Sequence, residues 1–201
     1  MPTGSTTAER IVDAAESLFA ERGLDATTIT AIIEASGARN KSAVAYHFGS
    51  KFDLLRAVLA RHTSRLDQRR DELLDEIESA GSVTVVELAR AIVAPVAELL
   101  GDASGERYLQ IQAGLLGYRD RDALPDLARD PGQRMVRLQR LIAVASGGPA
   151  PSSVAATVLI PSLVFHGLAD IARRRSLSTG ERDELVRALQ SAVAAVLRGS
   201  G

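Results

Sequence analysis

Thirteen consecutive residues, RNKSAVAYHFGSK at 39–51, gather three cations, one histidine and two aromatics without a single acid. A histidine between aromatics suits metal ligation, general-base chemistry, core packing or a surface that meets negative charge. Metal ligation needs neighbours that the chain does not supply: the other imidazoles are His62 and His166, no histidine pair stands at i, i+4, and there is no cysteine. Catalysis fares no better. The patterns G-x-S-x-G, H-E-x-x-H, G-x-x-x-x-G-K-[ST] and G-x-G-x-x-G are all missing. His166 and Asp170, four residues apart, pair a base with an orienter but have no nucleophile beside them. The expectation is a protein that is not an enzyme and holds neither metal nor cofactor, so charge and packing must account for 39–51.

Charge is informative only locally. Lys and Arg number 24 against 25 Asp and Glu, a formal net charge of -1. Residues 1–52 contain five cations and six acids, yet none of those acids lies in 35–52, where Arg39, Lys41 and Lys51 do. The positive field is aimed at one short surface.

The elements that must present that surface are helical, because apolar residues recur at helical spacing and strand-like alternation is nearly absent. The reading is all-α, with about nine helices. A first helix opens on a Thr6–Glu9 capping box, carries Ile11, Ala14, Ala15, Leu18 and Phe19 on one face, and closes at Gly23. Thr28 caps a second, which ends at Gly37. A third runs from about Asn40 to Phe48 and stops at Gly49. Ser50, at capping distance from Asp53, starts a long fourth. Further breaks are expected at Gly81-Ser82, Gly101–Gly105, Arg119–Pro131, Gly147–Pro151 and Ser178–Gly180. Composition shifts near residue 52, which divides the chain into 1–52 and 53–201.

Two short helices joined by a turn of about three residues form a helix-turn-helix, whose second helix can enter a DNA major groove. On that helix Val44 and Phe48 face inward, and Lys41, Ser42, Ala45 and Tyr46 point out. Candidate DNA contacts are therefore Thr28, Arg39, Asn40, Lys41, Ser42, Ala45, Tyr46, His47 and Lys51. For His47 a phosphate contact and internal packing both stay open, and Thr28 is first a helix cap. Lys51 in a helix's first turn opposes the dipole, whereas a phosphate there would be welcomed by both.

The segments TAERIVDAAESLFAERGLDATTITAIIEASG and NKSAVAYHFGSKFDLLRAVL resemble the N-terminal DNA-binding domain of the TetR family of bacterial transcriptional regulators. The likeness covers about the first 60 residues. It departs in one added residue between Gly37 and the aromatic of HF, with Arg39 the extra one, and in Ala45 where an aromatic is usual. The resemblance implies a homodimer on palindromic double-stranded operator DNA, with a small-molecule effector held by the C-terminal part. The expected function is a ligand-responsive regulator, most readily a repressor, in the cytoplasm. A helical small-molecule carrier or a helical enzyme without DNA binding are the alternatives.

The remaining chain agrees with a dimer. The run 154–171 is apolar nearly all round, and the last helix bears an apolar stripe, which makes Val154, Val158, Phe165, Leu185, Leu189, Val193 and Val196 interface candidates. The apolar part of 154–165 is too short to span a bilayer, and MPTGSTTAER has no secretory pattern. Ligand-binding candidates are Tyr108, Gln112, Tyr118 and His166, near apolar helices in which Pro95 and Pro161 would open kinks. The cations at 173–175 read as a solvated helix end.

Overall fold

The structure, a computed structural model, describes residues 6–38, 42–118, 124, 132–146 and 158–198, with the backbone alone at 132–135 and 146. Among the described residues there are nine helices and no strand: α1 Thr7–Ala26, α2 Ile29–Ser36, α3 Ala43–Phe48, α4 Lys51–Ser79, α5 Val85–Ala97, α6 Ala103–Leu116, α7 Gly132–Ser146, α8 Ile160–Arg173 and α9 Thr179–Leu197. The all-α reading holds. None of these helices is long and apolar enough to cross a membrane.

Local chemistry sets most of the boundaries. The Thr6 hydroxyl accepts from the Glu9 amide while the Glu9 carboxylate accepts from the Thr6 amide, so two otherwise orphaned N–H groups are satisfied at the start of α1. The same box recurs at Thr84–Glu87 and Ser178–Glu181. Thr28 caps α2 and Ser50 caps α4 through single hydroxyl acceptors. Gly37 at φ +66° and Gly49 at φ +86° bracket the recognition segment in backbone conformations that a side chain would strain.

Two expected breaks move. Gly23 (φ +78°) does interrupt α1, but one more helical turn follows it, through Ala26. Of the expected break at Gly101–Gly105 only Gly101 turns the chain; Gly105 lies inside α6, where a Cβ would sit 2.6 Å from the Leu99 carbonyl oxygen. It is there for close approach of α6 to the end of α5. Pro95 does stand inside α5, whereas Pro161 occupies the first turn of α8, where its missing N–H costs nothing. Breaks expected at Arg119–Pro131 and Gly147–Pro151 lie almost wholly outside the described residues.

The helices pack as one layered body. α1 lies against α2, α4 and α6; α5 against α4 and α9; α8 against α6 and α9. α4, about 43 Å long at 1.5 Å per residue, presents Leu54, Leu55, Val58 and Leu59 to α1 and α3 and, further along, Leu66, Leu73, Leu74 and Ile77 to the later helices. Arg137 of α7 pairs with Asp75 and Glu78 of α4, and Arg69 of α4 with Glu98 at the end of α5 (2.9 Å).

The joint between α1 and the later helices contains a charge. Glu16, 1% exposed, accepts from the Ser104 hydroxyl at 2.8 Å and from Arg107 Nε at 3.2 Å, and its Oε1 lies 3.4 Å from His62 Nε2. Burial pushes this carboxyl's pKa up, but the hydrogen bonds from His62, Ser104 and Arg107 outweigh it and hold the pKa below the ordinary value. A depressed folded-state pKa contributes stability that is present above the unfolded value of about 4.3 and is lost as pH falls through the folded one. Urea unfolding should therefore show a decline below about pH 4 that is shallower in Glu16→Gln. Glu16→Ala at neutral pH should lose about 2–3 kcal/mol, since it leaves Arg107 and Ser104 without their acceptor.

Candidate nucleic-acid interface

Helix α3, the second of the helix-turn-helix pair expected from the sequence, has only six residues, far too few to persist alone in water. Packing holds it. Val44 is fully buried and Ala43 nearly so, against α1, α2 and α4, and Phe48 is half-buried. Ser42, Ala45, Tyr46 and His47 are left exposed, and Tyr46 reaches 84% exposure. The Tyr46 and His47 rings meet edge to face at 5.0 Å, which stiffens both on the outer side. An aromatic this exposed contributes little burial to the fold among the described residues.

Ser42 stands at the helix's N-cap position, so the described helix begins at Ala43. Arg39, Asn40 and Lys41 lie outside the described residues. Thr28 is exposed, and its hydroxyl accepts from the Ala31 amide, which confirms it as a cap. Beside α3 lies a cleft lined by Thr7, Arg10, Gly37, Ala43, Tyr46 and His47. Arg10 ties α1 to the end of α2 by donating to the Ser36 carbonyl (3.3 Å). The sequence gives no hint of Arg10, because it precedes the recognition segment by some thirty residues and only the fold brings it to the cleft.

Lys51 sits differently from its expected place beside a phosphate. Its ammonium turns inward and donates to the carbonyls of Leu24 (2.8 Å) and Thr27 (3.0 Å) at the end of α1. A cation that opposes the dipole of its own helix is thus favoured by the C-terminus of another. Lys51 staples α1 to the start of α4. Behind it, Asp53 is bound by the Ser50 hydroxyl and by Arg56 (2.8 Å); the Ser50 bond chiefly holds its carboxyl below the usual range.

The four ligand-binding candidates fall into two places. Tyr108 is buried, accepts from Gln112 Nε2 (2.9 Å), and packs its ring on His62 and Phe165. Burial raises its phenol pKa against the opposing Gln112 bond. Tyr118 and His166 instead line an open groove shared by α1, α4, α6 and α8. The interface candidates also divide. Val193 is fully buried inside its own chain, so the inner stripe of α9 is Val193, Ala194 and Leu197. That corrects its assignment to an outer face, because α5 and α8 already cover it. Leu185 (40%) and Val158 (42%) remain exposed, Phe165, Leu189 and Val196 are half-buried, and Val154 is outside the described residues.

The Lys51 staple makes a prediction. Lys51→Ala should lower unfolding free energy by about 2 kcal/mol, the loss of two charge-assisted hydrogen bonds, read as a lower urea midpoint at unchanged helix content.

Residues 11–58 match the family model for bacterial regulatory proteins of the tetR family. No curated protein matches the chain. Among solved structures, Mycobacterium smegmatis AmtR is 23% identical over 100% of this chain and 90% of that one, with a TM-score of 0.56. A transcriptional regulator from Rhodococcus sp. Rha1 is 24% identical over 96% and 97% (TM-score 0.57). NalD, the secondary repressor of the MexAB-OprM multidrug efflux pump in Pseudomonas aeruginosa, is 21% identical over 93% and 94% (TM-score 0.57). At these identities the solved structures share the fold alone, and it is the helix-turn-helix stretch, residues 11–58, that is similar to the tetR family of bacterial regulatory proteins.

Proposed function

We propose that the protein is a DNA-binding transcriptional regulator that acts in the cytoplasm as a homodimer, a repressor released from a palindromic operator by a small molecule held in its C-terminal part. The observation that carries this reading is the outer face of α3, where Tyr46 and His47 stand exposed on a six-residue helix kept folded by its neighbours. Residues 1–52 form the DNA-binding unit and 53–201 the ligand-binding and dimer-forming unit. Ser42, Ala45, Tyr46 and His47 meet the groove, and Arg39, Asn40 and Lys41, which come just before them in sequence, add contacts to the same DNA. Thr28 and Arg10 flank them, and Lys51 serves the surface from behind by fixing α1 to α4. NalD, which shares the fold, is named as a repressor, which supports the choice of sign.

Retardation of DNA from the chain's own upstream region tests the reading. A palindromic fragment with half-sites one helical turn apart should be retarded, with affinity falling steeply as salt rises. Tyr46→Ala should weaken binding about tenfold at unchanged melting temperature. No retardation of any such fragment at low salt, by ligand-free protein, would overturn the proposal.

The dimer surface we assign to Val158, just before α8, Phe165 of α8, and Leu185, Leu189 and Val196 of α9, apolar positions among those that their own chain leaves exposed or half-buried. A two-fold axis sets each such patch against its own copy. Sedimentation of Leu185→Glu should show a shift from dimer toward monomer at micromolar concentration, accompanied by loss of operator affinity, because the two recognition helices are then no longer held at a fixed spacing.

A further inference from the structure

The groove on which Tyr118 and His166 lie has a volume of about 570 Å³. That is ample for a small organic molecule. Its floor is apolar, built from Phe19 and Leu24 of α1, Leu55 of α4, and Ile111 and Leu115 of α6. Besides Asp25 and Tyr118, four polar side chains line it: Arg22, Gln110, His166 and Arg173. None of the four has a hydrogen-bond or ion-pair partner among the described residues.

Arg173 is set apart from its neighbours in the same run. Arg174 pairs with Asp170 (3.0 Å) and Arg175 with the buried Glu106 (2.8 Å), which leaves only Arg173 for the groove. Among the described residues one acid lines the groove, Asp25, and its carboxylate already accepts from the Tyr118 hydroxyl at 2.7 Å. The carbonyls at the end of α1 would repel an anion, but Lys51 caps two of them. Gly114 completes the picture. It lies in α6 on the groove, where glycine is less favourable than alanine, and a Cβ there would meet nothing within 4 Å. No contact among the described residues requires it, whereas an occupant would use the space.

We propose that this groove binds an anionic amphiphile, a small molecule whose single carboxylate is taken by the Arg22 and Arg173 guanidiniums and whose apolar body lies along Phe19, Ile111 and Leu115. His166 and Gln110 supply further polar contact at the rim. As an effector site the groove rests on the regulator reading, since it joins α1 to α6 and α8. As a binding site it stands without it.

The test is calorimetric titration of the full-length, DNA-free protein with sodium decanoate and with 3-phenylpropionate, both below aggregation. Controls are 1-decanol and decyltrimethylammonium. At least one carboxylate should bind once per chain, and both controls about tenfold or more weaker, the worth of a charge-assisted hydrogen bond. The double variant Arg22→Gln, Arg173→Gln should lose about tenfold or more in carboxylate affinity at unchanged melting temperature. Gly114→Leu, which fills the groove and favours the helix, should abolish binding without lowering the melting temperature. Absence of binding by both carboxylates, equal binding of decanol, or undiminished binding in these variants would overturn the proposal. DNA retardation of the same preparations separates the two readings: carboxylate binding without any retardation removes the regulator alone, and retardation without carboxylate binding removes the groove alone.

Discussion

One buried carboxylate fixes how the two ends of this molecule sit together. Glu16 lies midway along α1 with almost no exposure, and the groups around it come from α4 and α6. A carboxylate removed from water is tolerated only where donors surround it. The relative placement of α1, α4 and α6 is therefore restricted to arrangements that bring His62, Ser104 and Arg107 to the same point. Apolar packing alone would permit sliding between these helices, because burial has no preferred direction. Directional bonds to a buried charge do not permit it.

What depends on that placement is the recognition surface. α3 owes its existence to contacts with α1, α2 and α4, and α1 owes its position to Glu16 on one side and to the Lys51 staple at its end. A shift of α6 against α4 cannot be absorbed at Glu16 without breaking a bond, so it must be passed to α1 or resisted. Local structure at α3 is thus conditional on geometry set more than fifty residues away in sequence.

Sequence made the local features legible and left the long-range ones hidden. Capping boxes at Thr6–Glu9, the caps at Thr28 and Ser50, and the glycines that end α2 and α3 are written in neighbouring residues, so periodicity and spacing find them. Glu16 reads as one more acid on an amphipathic helix, since nothing within a turn of it predicts Ser104 or Arg107. Lys51 reads as a cation in the wrong place, and so invites a phosphate, until the carbonyls of Leu24 and Thr27 are brought beneath it. Gly105 looks like a turn residue because the pressure that demands it, the Leu99 carbonyl, comes from the preceding helix end. Tyr108 and Tyr118 look alike in sequence, yet one is interior and the other faces a groove.

The run Arg173–Arg175 shows how packing assigns different tasks to identical side chains. Arg174 finds Asp170 one turn back and Arg175 crosses to Glu106 of α6, while Arg173 stays on the groove. Across that groove Arg22 lies two residues before Leu24 and five before Thr27, the two residues whose carbonyls hold Lys51. An anion drawing on Arg22 therefore acts on the same turn that Lys51 fastens to α4. A ligand moves an equilibrium only by its difference in affinity for two arrangements, and here the difference has a physical source. Arg22 is carried by α1 and Arg173 by α8, so the proposed carboxylate, held by both, would favour one position of α1 and, through α1, one position of α3.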